Sequence, residues 1–466
     1  MDSFSLKSCF IFSPSLKPKI EKPSDNDIQD AKLLIYYPSS EESLIKRSNM
    51  GIIEGTLHFV NQFGKSENII DKLLFSELDK FYYIAYKVEN DIYIALILEK
   101  KEKIFSINQT ISSKKKFLIY LINNFYNNFY LFHGKLSEHF FKNDKDFRND
   151  ENEYNVTTAR FSDFINCYFE YFNKLSSPFI DGVLYYPFQK KSSLIEKILI
   201  INEKFPHIEK ISVCYNGYLI YNEIDVYSMS LLYNIFFNNI NGQFRFINEP
   251  FRPPIFFMNN ESDIENGKLL SPFKKAFLCD IKCNCEYLLG VNNNNLFIPH
   301  IKIKNTNEEF QLSVLKLFNF TFFLFLNFSQ DSKNINIYND IKIEFENIFK
   351  SFDDNLNNII SFEAIKKNSK SFIFGYYNND NKCFRLSHFF YNKNEIDIDK
   401  LEFIQKMFEF ILRKNIQSTV TKIKGYYLYY WTSFEKKFFL LQKENKPLEE
   451  IKILYTDKIY QTITFI

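Results

Sequence analysis

Ile211-Ser-Val-Cys-Tyr-Asn-Gly-Tyr-Leu-Ile-Tyr221 decides the fold class. Two short runs rich in β-branched and aromatic residues flank Asn216-Gly217, a pair suited to a two-residue turn with positive φ at both positions. The stretch reads as a β-hairpin, and so as part of an antiparallel sheet. Helices are expected on either side of it, at Ser192–Phe205 and Asp225–Asn238. Further strands are expected at Tyr287–Leu289, Leu296–Lys304, Phe310–Phe318 and Thr321–Phe328, then a helix at about residues 339–365. Val183–Phe188 reads as the strand that opens this unit.

The N-terminal part repeats that order. Leu6–Phe12 and Lys32–Tyr37 are apolar runs separated by a loop rich in Pro, Lys and Asp. Pro38-Ser-Ser-Glu-Glu reads as a helix start, and residues 41–63 carry a wide helical apolar stripe. Strands follow at Lys72–Phe75, Phe81–Val88 and Ile92–Leu98, the last two joined at Asn90-Asp91. Helices to about Phe132 and over Thr158–Leu175 bracket a polar segment, Lys142–Asn155. A third set comprises strand Phe372–Tyr377, helix Lys400–Lys414, the hairpin Tyr426–Trp431 with Lys437–Gln442, and a last strand, Tyr460–Ile466. The expectation is an α+β protein of three domains, each a mainly antiparallel sheet flanked by helices. The domains span residues 1–175, 176–368 with an irregular insertion at about 240–275, and 369–466.

Composition excludes several classes. Lys and Arg number 58 against 56 Asp and Glu, so no global field draws the 466-residue chain to nucleic acid or anionic membranes. The 55 Phe and 30 Tyr accompany many Asn, Lys and Ile. Their codons are AT-rich, and a biased genome raises all five together, so the aromatics do not argue for stacking on bases. The 7 Cys are odd in number and irregularly spaced, as reduced thiols are. Cys279, Cys283 and Cys285 lack the fourth ligand a zinc site needs. No signal-peptide core or membrane-spanning run is expected; Leu312–Phe328 is interrupted by Lys316 and Asn319 and reads as two buried strands.

Catalytic signatures are missing. Phe63-Gly64-Lys65-Ser66 has the tail of a phosphate loop without its first glycine. The sequence has no G-x-G-x-x-G, no H-E-x-x-H and no G-x-S-x-G, and its 6 His are scattered. No cofactor, metal or catalytic residue is expected. Lys114–Lys116 and Lys190-Lys191 read either as solvated charges or as lipid-facing ones.

Helix 41–63 carries the candidate surface. At about 100° per residue, Ile45, Met50, Ile52, Ile53, Leu57, Phe59, Val60 and Phe63 cover one broad half. Arg47, Gly51, Glu54, Gly55, His58 and Gln62 gather on the other. Two of only 11 glycines sit there, four apart, and each costs roughly 1 kcal/mol relative to Ala in a helix. Close approach of another backbone would account for that, whether from within the domain or from a partner.

Several stretches resemble one family. Leu34-Ile-Tyr-Tyr-Pro-Ser39, Lys46-Arg-Ser-Asn-Met-Gly-Ile-Ile-Glu54, Pro178-Phe-Ile-Asp-Gly-Val-Leu-Tyr-Tyr-Pro-Phe188, Tyr215–Tyr221, Phe310–Lys316, Tyr426–Trp431 and Phe438–Lys443 lie in the order of the Ccz family. This is the Ccz side of the Mon–Ccz complexes, whose members carry three longin domains. Tyr221 stands where the family pattern has Trp, and some loops are short. The Hermansky–Pudlak complex subunits share the architecture and remain an alternative.

The resemblance implies three longin-like domains and a regulatory subunit, not an enzyme forming covalent bonds. It implies pairing with a Mon-like longin subunit through the first domain. The pair would be an exchange factor for a late-endosomal or vacuolar Rab GTPase, peripheral on endosomal, vacuolar or lysosomal membranes, with no nucleic-acid partner. The family's Asn-x-Gly-x-x-Glu pattern falls on Asn49, Gly51 and Glu54, so the implied partner or GTPase surface is Arg47, Asn49, Gly51, Glu54, Gly55, His58 and Gln62. A non-catalytic longin scaffold is the other reading.

Overall fold

The computed structural model describes residues 4–18, 20–63, 73–100, 111–142, 145–146, 183–184, 191–215, 218–237, 285–287, 300–318, 320–327, 335–359, 372–378, 383–386, 418–423, 426–433 and 436–443, with seven helical positions between 158 and 168. Described residues up to 168 form one compact unit, and those from 183 onward form another. The expected helix Lys400–Lys414, the last strand, the 240–275 insertion and the Asn216-Gly217 turn lie outside the described residues.

The first unit is a five-stranded antiparallel sheet in the order β2-β1-β5-β4-β3, from β1 (Phe4–Phe12), β2 (Leu33–Tyr37), β3 (Leu73–Glu77), β4 (Phe81–Glu89) and β5 (Ile92–Lys100). Cys9 sits opposite Leu96 and Phe10 opposite Ala95, so the two central strands put alternate side chains on opposite faces. One face packs Phe10, Phe12, Tyr36, Tyr83, Ala85, Ala95 and Ile97 against Met50, Ile53 and Leu57 of helix α2 (Ser43–Phe63). Helix α3 (Ile111–His133) packs on β4. Around α3, Phe161, Phe164 and Tyr168 ring Phe125 at centroid distances of 5.9, 5.1 and 5.1 Å.

The loop expected between the first two strands holds a helix, α1 (Asp25–Lys32). Only Ala31 of it is buried, so it has no apolar period to betray it. Its start is a capping box: the Ser24 hydroxyl accepts from Asp27 N at 3.3 Å and Asp27 Oδ2 accepts from Ser24 N at 2.9 Å. That hydroxyl, donating to Asp27 in turn, holds the Asp27 carboxyl below its usual range.

A short helix, α4 (Leu136–Phe140), follows α3, with a two-stranded ribbon of β6 (Phe141–Lys142) and β7 (Lys145–Asp146). Glu89, at the end of β4, fastens this corner. Its Oε1 accepts from Tyr126 Oη at 2.7 Å and Leu136 N at 2.6 Å, and its Oε2 accepts from Ser137 N at 3.0 Å. Burial pushes the Tyr126 hydroxyl far above its usual range, and the adjacent Glu89 charge adds to this. Glu89→Ala leaves three donors without that acceptor and is expected to destabilise the unit by about 2 kcal/mol, read as a lower denaturation midpoint.

The second unit repeats the first sheet. Its strands are β9 (Ile208–Tyr215), β10 (Tyr218–Asn222), β11 (Cys285–Tyr287), β12 (His300–Lys302), β13 (Glu309–Leu317) and β14 (Phe320–Leu326). Their order is β10-β9-β14-β13-β11, with β12 also on β13. That is the first sheet's order, with two short strands in the place of its third. Helices α5 (Lys191–Lys204) and α7 (Ile335–Ile359) cover one face. Helix α6 (Val226–Phe237) follows β10 as α2 follows β2.

A further sheet runs β17-β18-β19-β15-β16-β8, from β8 (Val183–Leu184), β15 (Phe372–Asn378), β16 (Cys383–Leu386), β17 (Ser418–Ile423), β18 (Tyr426–Ser433) and β19 (Lys436–Lys443). The strand expected to open the second sheet is therefore an edge of this one, paired in parallel with β16. β16 and β17 were not expected as strands. Each forms a hairpin with the strand beside it in sequence, β16 with β15 and β17 with β18, and only the pairing of β16 with β8 joins positions distant in sequence.

Candidate functional site

Helix α2 shows three sides. Its core side places Met50, Ile53 and Leu57 against the sheet. Asn49 belongs there too: it is buried, its Nδ2 donates to Tyr36 Oη at 2.7 Å, and Tyr83 Oη lies 3.5 Å from its Oδ1. Burial raises the Tyr36 and Tyr83 hydroxyls above their usual range. Asn49 thus fixes how α2 lies on β2 and β4.

The second side faces α1. Arg47 holds Asp30 bidentately, Nε to Oδ1 at 2.9 Å and Nη2 to Oδ2 at 2.5 Å. Glu54 pairs with Lys32. A Cβ on Gly51 would meet Gln29 Nε2 at 3.8 Å, an ordinary contact. The close neighbour at Gly51 is thus a helix of the same domain. Both ion pairs are partly solvated, so they register α1 more than they stabilise it.

The third side is exposed. Leu44 is 74% exposed, Phe59 62% and Ile45 38%. A Cβ on Gly55 would meet nothing within 4 Å. His58 and Gln62, both exposed, bond to each other at 2.9 Å beside this strip. On an ideal wheel, Leu44, Gly55 and Phe59 point roughly opposite Met50, Ile53 and Leu57. Of the seven expected residues, Gly55, His58 and Gln62 lie in the open, Arg47, Gly51 and Glu54 face α1, and Asn49 is internal. Sequence reasoning did not single out Leu44 and grouped Ile45 and Phe59 with Met50, Ile53 and Leu57 in one broad apolar half. The wheel angles of Leu44, Ile45 and Phe59, far from the core direction, were the available signal.

Residues 6–134 match the family model of the first longin domain of INTU, CCZ1 and HPS4. The N-terminal unit is longin-like and similar to that domain. The match takes in β1 to α3, so α2 and its exposed side lie inside the matched stretch. No curated protein matches the chain.

The helix in the second unit's corresponding place is treated differently. In α6, Ser228 to Tyr233 are all buried, and β8 touches the helix. A helix buried around its whole circumference has its outer side covered as well. Elsewhere among the described residues, no group of His, Cys, Asp and Glu could hold a metal ion. Cys285 lies in β11, while Cys279 and Cys283 lie outside the described residues. Burial raises the Cys9 and Cys214 thiols well above their usual range, which makes them poor nucleophiles. No helix among the described residues is long and apolar enough to cross a membrane.

Gly55→Ala separates packing from helix propensity. With open space at its Cβ, the substitution is expected to stabilise the N-terminal unit by about 1 kcal/mol, read by thermal unfolding.

Proposed function

We propose that this chain is one subunit of a guanine-nucleotide exchange complex, pairing through the exposed side of α2 with a second, Mon-like longin subunit. The pair activates a Rab GTPase of late endosomes, vacuoles or lysosomes and serves membrane fusion and autophagy there. It works peripherally on those membranes and makes no covalent bond. Preferential binding to the nucleotide-free GTPase weakens nucleotide binding, so GDP leaves and GTP enters. The observation that carries this reading is an apolar strip, Leu44–Ile45–Phe59, exposed on the helix of a domain similar to the first longin domain of INTU, CCZ1 and HPS4. The corresponding helix in the second unit, α6, is covered within the chain. A non-catalytic scaffold would use the same pairing without exchange.

GDP release decides between them. A fluorescent-GDP-loaded late-endosomal Rab is mixed with this chain, with the Mon-like subunit, and with the co-expressed pair. Acceleration by the pair alone is the expected result. Stable pairing without acceleration on a panel of Rabs would move the function to a scaffold.

A further inference from the structure

α1 lies along one side of α2 from Arg47 to Glu54, and little holds it there. It is eight residues long, and only Ala31 of it is buried. An isolated helix that short is marginal in water. Against α2 it sets the Asp30–Arg47 and Lys32–Glu54 pairs, both partly solvated, and the end of the Gln29 side chain near Gly51. Such pairs contribute little in solvent. The C-terminal end of α1 is tied to the sheet, where Ser13 N donates to the Lys32 carbonyl at 2.9 Å. The residues that lead into its N-terminal end, 20–24, are all exposed.

The side that α1 covers runs on into open surface. One turn further along α2, His58 and Gln62 are exposed. Around the helix, Gly51 lies between the α1 side and Gly55, which borders Phe59 on an ideal wheel. α1 explains neither glycine. A Cβ would make only an ordinary contact at Gly51 and none within 4 Å at Gly55. Both positions give up helix propensity for space that the chain leaves unused.

We propose that α1 is an autoinhibitory strap: it covers the Arg47–Gly51–Glu54 side of α2 and lifts when the paired subunit docks, so that the subunit's backbone can approach Gly51 and Gly55. The inference rests on the pairing role proposed above and adds its regulation. The paired subunit is the occupant because the covered side is continuous with the exposed Leu44–Ile45–Phe59 strip. The chain then binds only in the fraction of molecules whose strap is open, and its apparent affinity falls by that fraction. Loosening the strap removes the penalty. A helix that merely belongs to the fold would lose stability when loosened and return no affinity.

The test is hydrogen exchange on the full chain, alone and co-expressed with the Mon-like subunit, read at residues 25–32 and along α2. Complex formation is expected to strip protection from α1 while α2 gains it. Retained or increased protection in α1 would overturn the strap and keep the pairing surface. Asp30→Asn/Lys32→Gln breaks both ion pairs without altering α2, and is expected to bind the subunit about 3- to 10-fold more tightly. Asp30→Asn alone, with a smaller gain expected, serves where the double variant disturbs folding. Equal or weaker binding by a variant that melts as the unmodified chain does would overturn the strap as well. Loss of α1 protection only once the GTPase is added would overturn the subunit as the occupant. Absence of pairing by the unmodified chain would overturn both the strap and the pairing role.

Discussion

Phe59→Ser is expected to abolish stable pairing with a second longin subunit while leaving the thermal unfolding of the chain nearly unchanged. The ring is 62% exposed, so the fold draws little from it. Phe and Ser rank closely in helix propensity, which leaves α2 intact. A partner that covers the ring gains about 1.5–3 kcal/mol from its burial, and removing an interface anchor of that size weakens binding roughly 10- to 100-fold. The measurement is co-purification at matched expression, with a melting curve on the same sample. A normal complex in the variant would sink the docking face. A collapsed melting curve would show that Phe59 supports the domain.

Residue type in α2 was easier to read than direction. Met50, Ile53 and Leu57 define a core stripe and were legible from helical spacing. Grouping the apolar residues into a whole half-circle swept in Ile45 and Phe59, although a helix on a sheet needs a stripe little wider than about 100°. Arg47 and Glu54 were legible as polar, but their partners were not. Asp30 and Lys32 belong to α1, a helix of eight residues with one buried side chain, which periodicity cannot reveal. Ser24-Asp-Asn-Asp27 was its one local mark, a capping pattern with Asp where Glu or Gln is usual. The hairpins that were expected were read with nearly their observed ends because turn residues and alternation are local, while β15–β16 and β17–β18 were missed. Tyr426–Trp431 with Lys437–Gln442, for instance, falls within β18 and β19. The placement of Val183 was not legible, because its pairing with Cys383 spans the second sheet's entire sequence.

Phe322→Ala is expected to cost the second unit about 3–5 kcal/mol. Phe322 is fully buried on β14, between β9 and β13, and its centroid lies 4.8 Å from both Phe345 and Phe349 of α7 and 5.5 Å from Phe320. The rings around it form part of one cluster with Leu194, Ile198 and Ile201 of α5, so a cavity there loosens both helices from the sheet. A loss of that size is a large share of a domain's usual 5–15 kcal/mol. Hydrogen exchange reads it element by element: β9, β13 and β14 should lose protection, with β1, β4 and β5 of the N-terminal unit as the internal reference. A loss below about 1 kcal/mol would mean that neighbouring rings close the cavity. Phe322 and Phe59 are the same residue type with opposite expected readouts, stability for one and association for the other. What separates them is burial, 0% against 62%, which residue type alone does not encode.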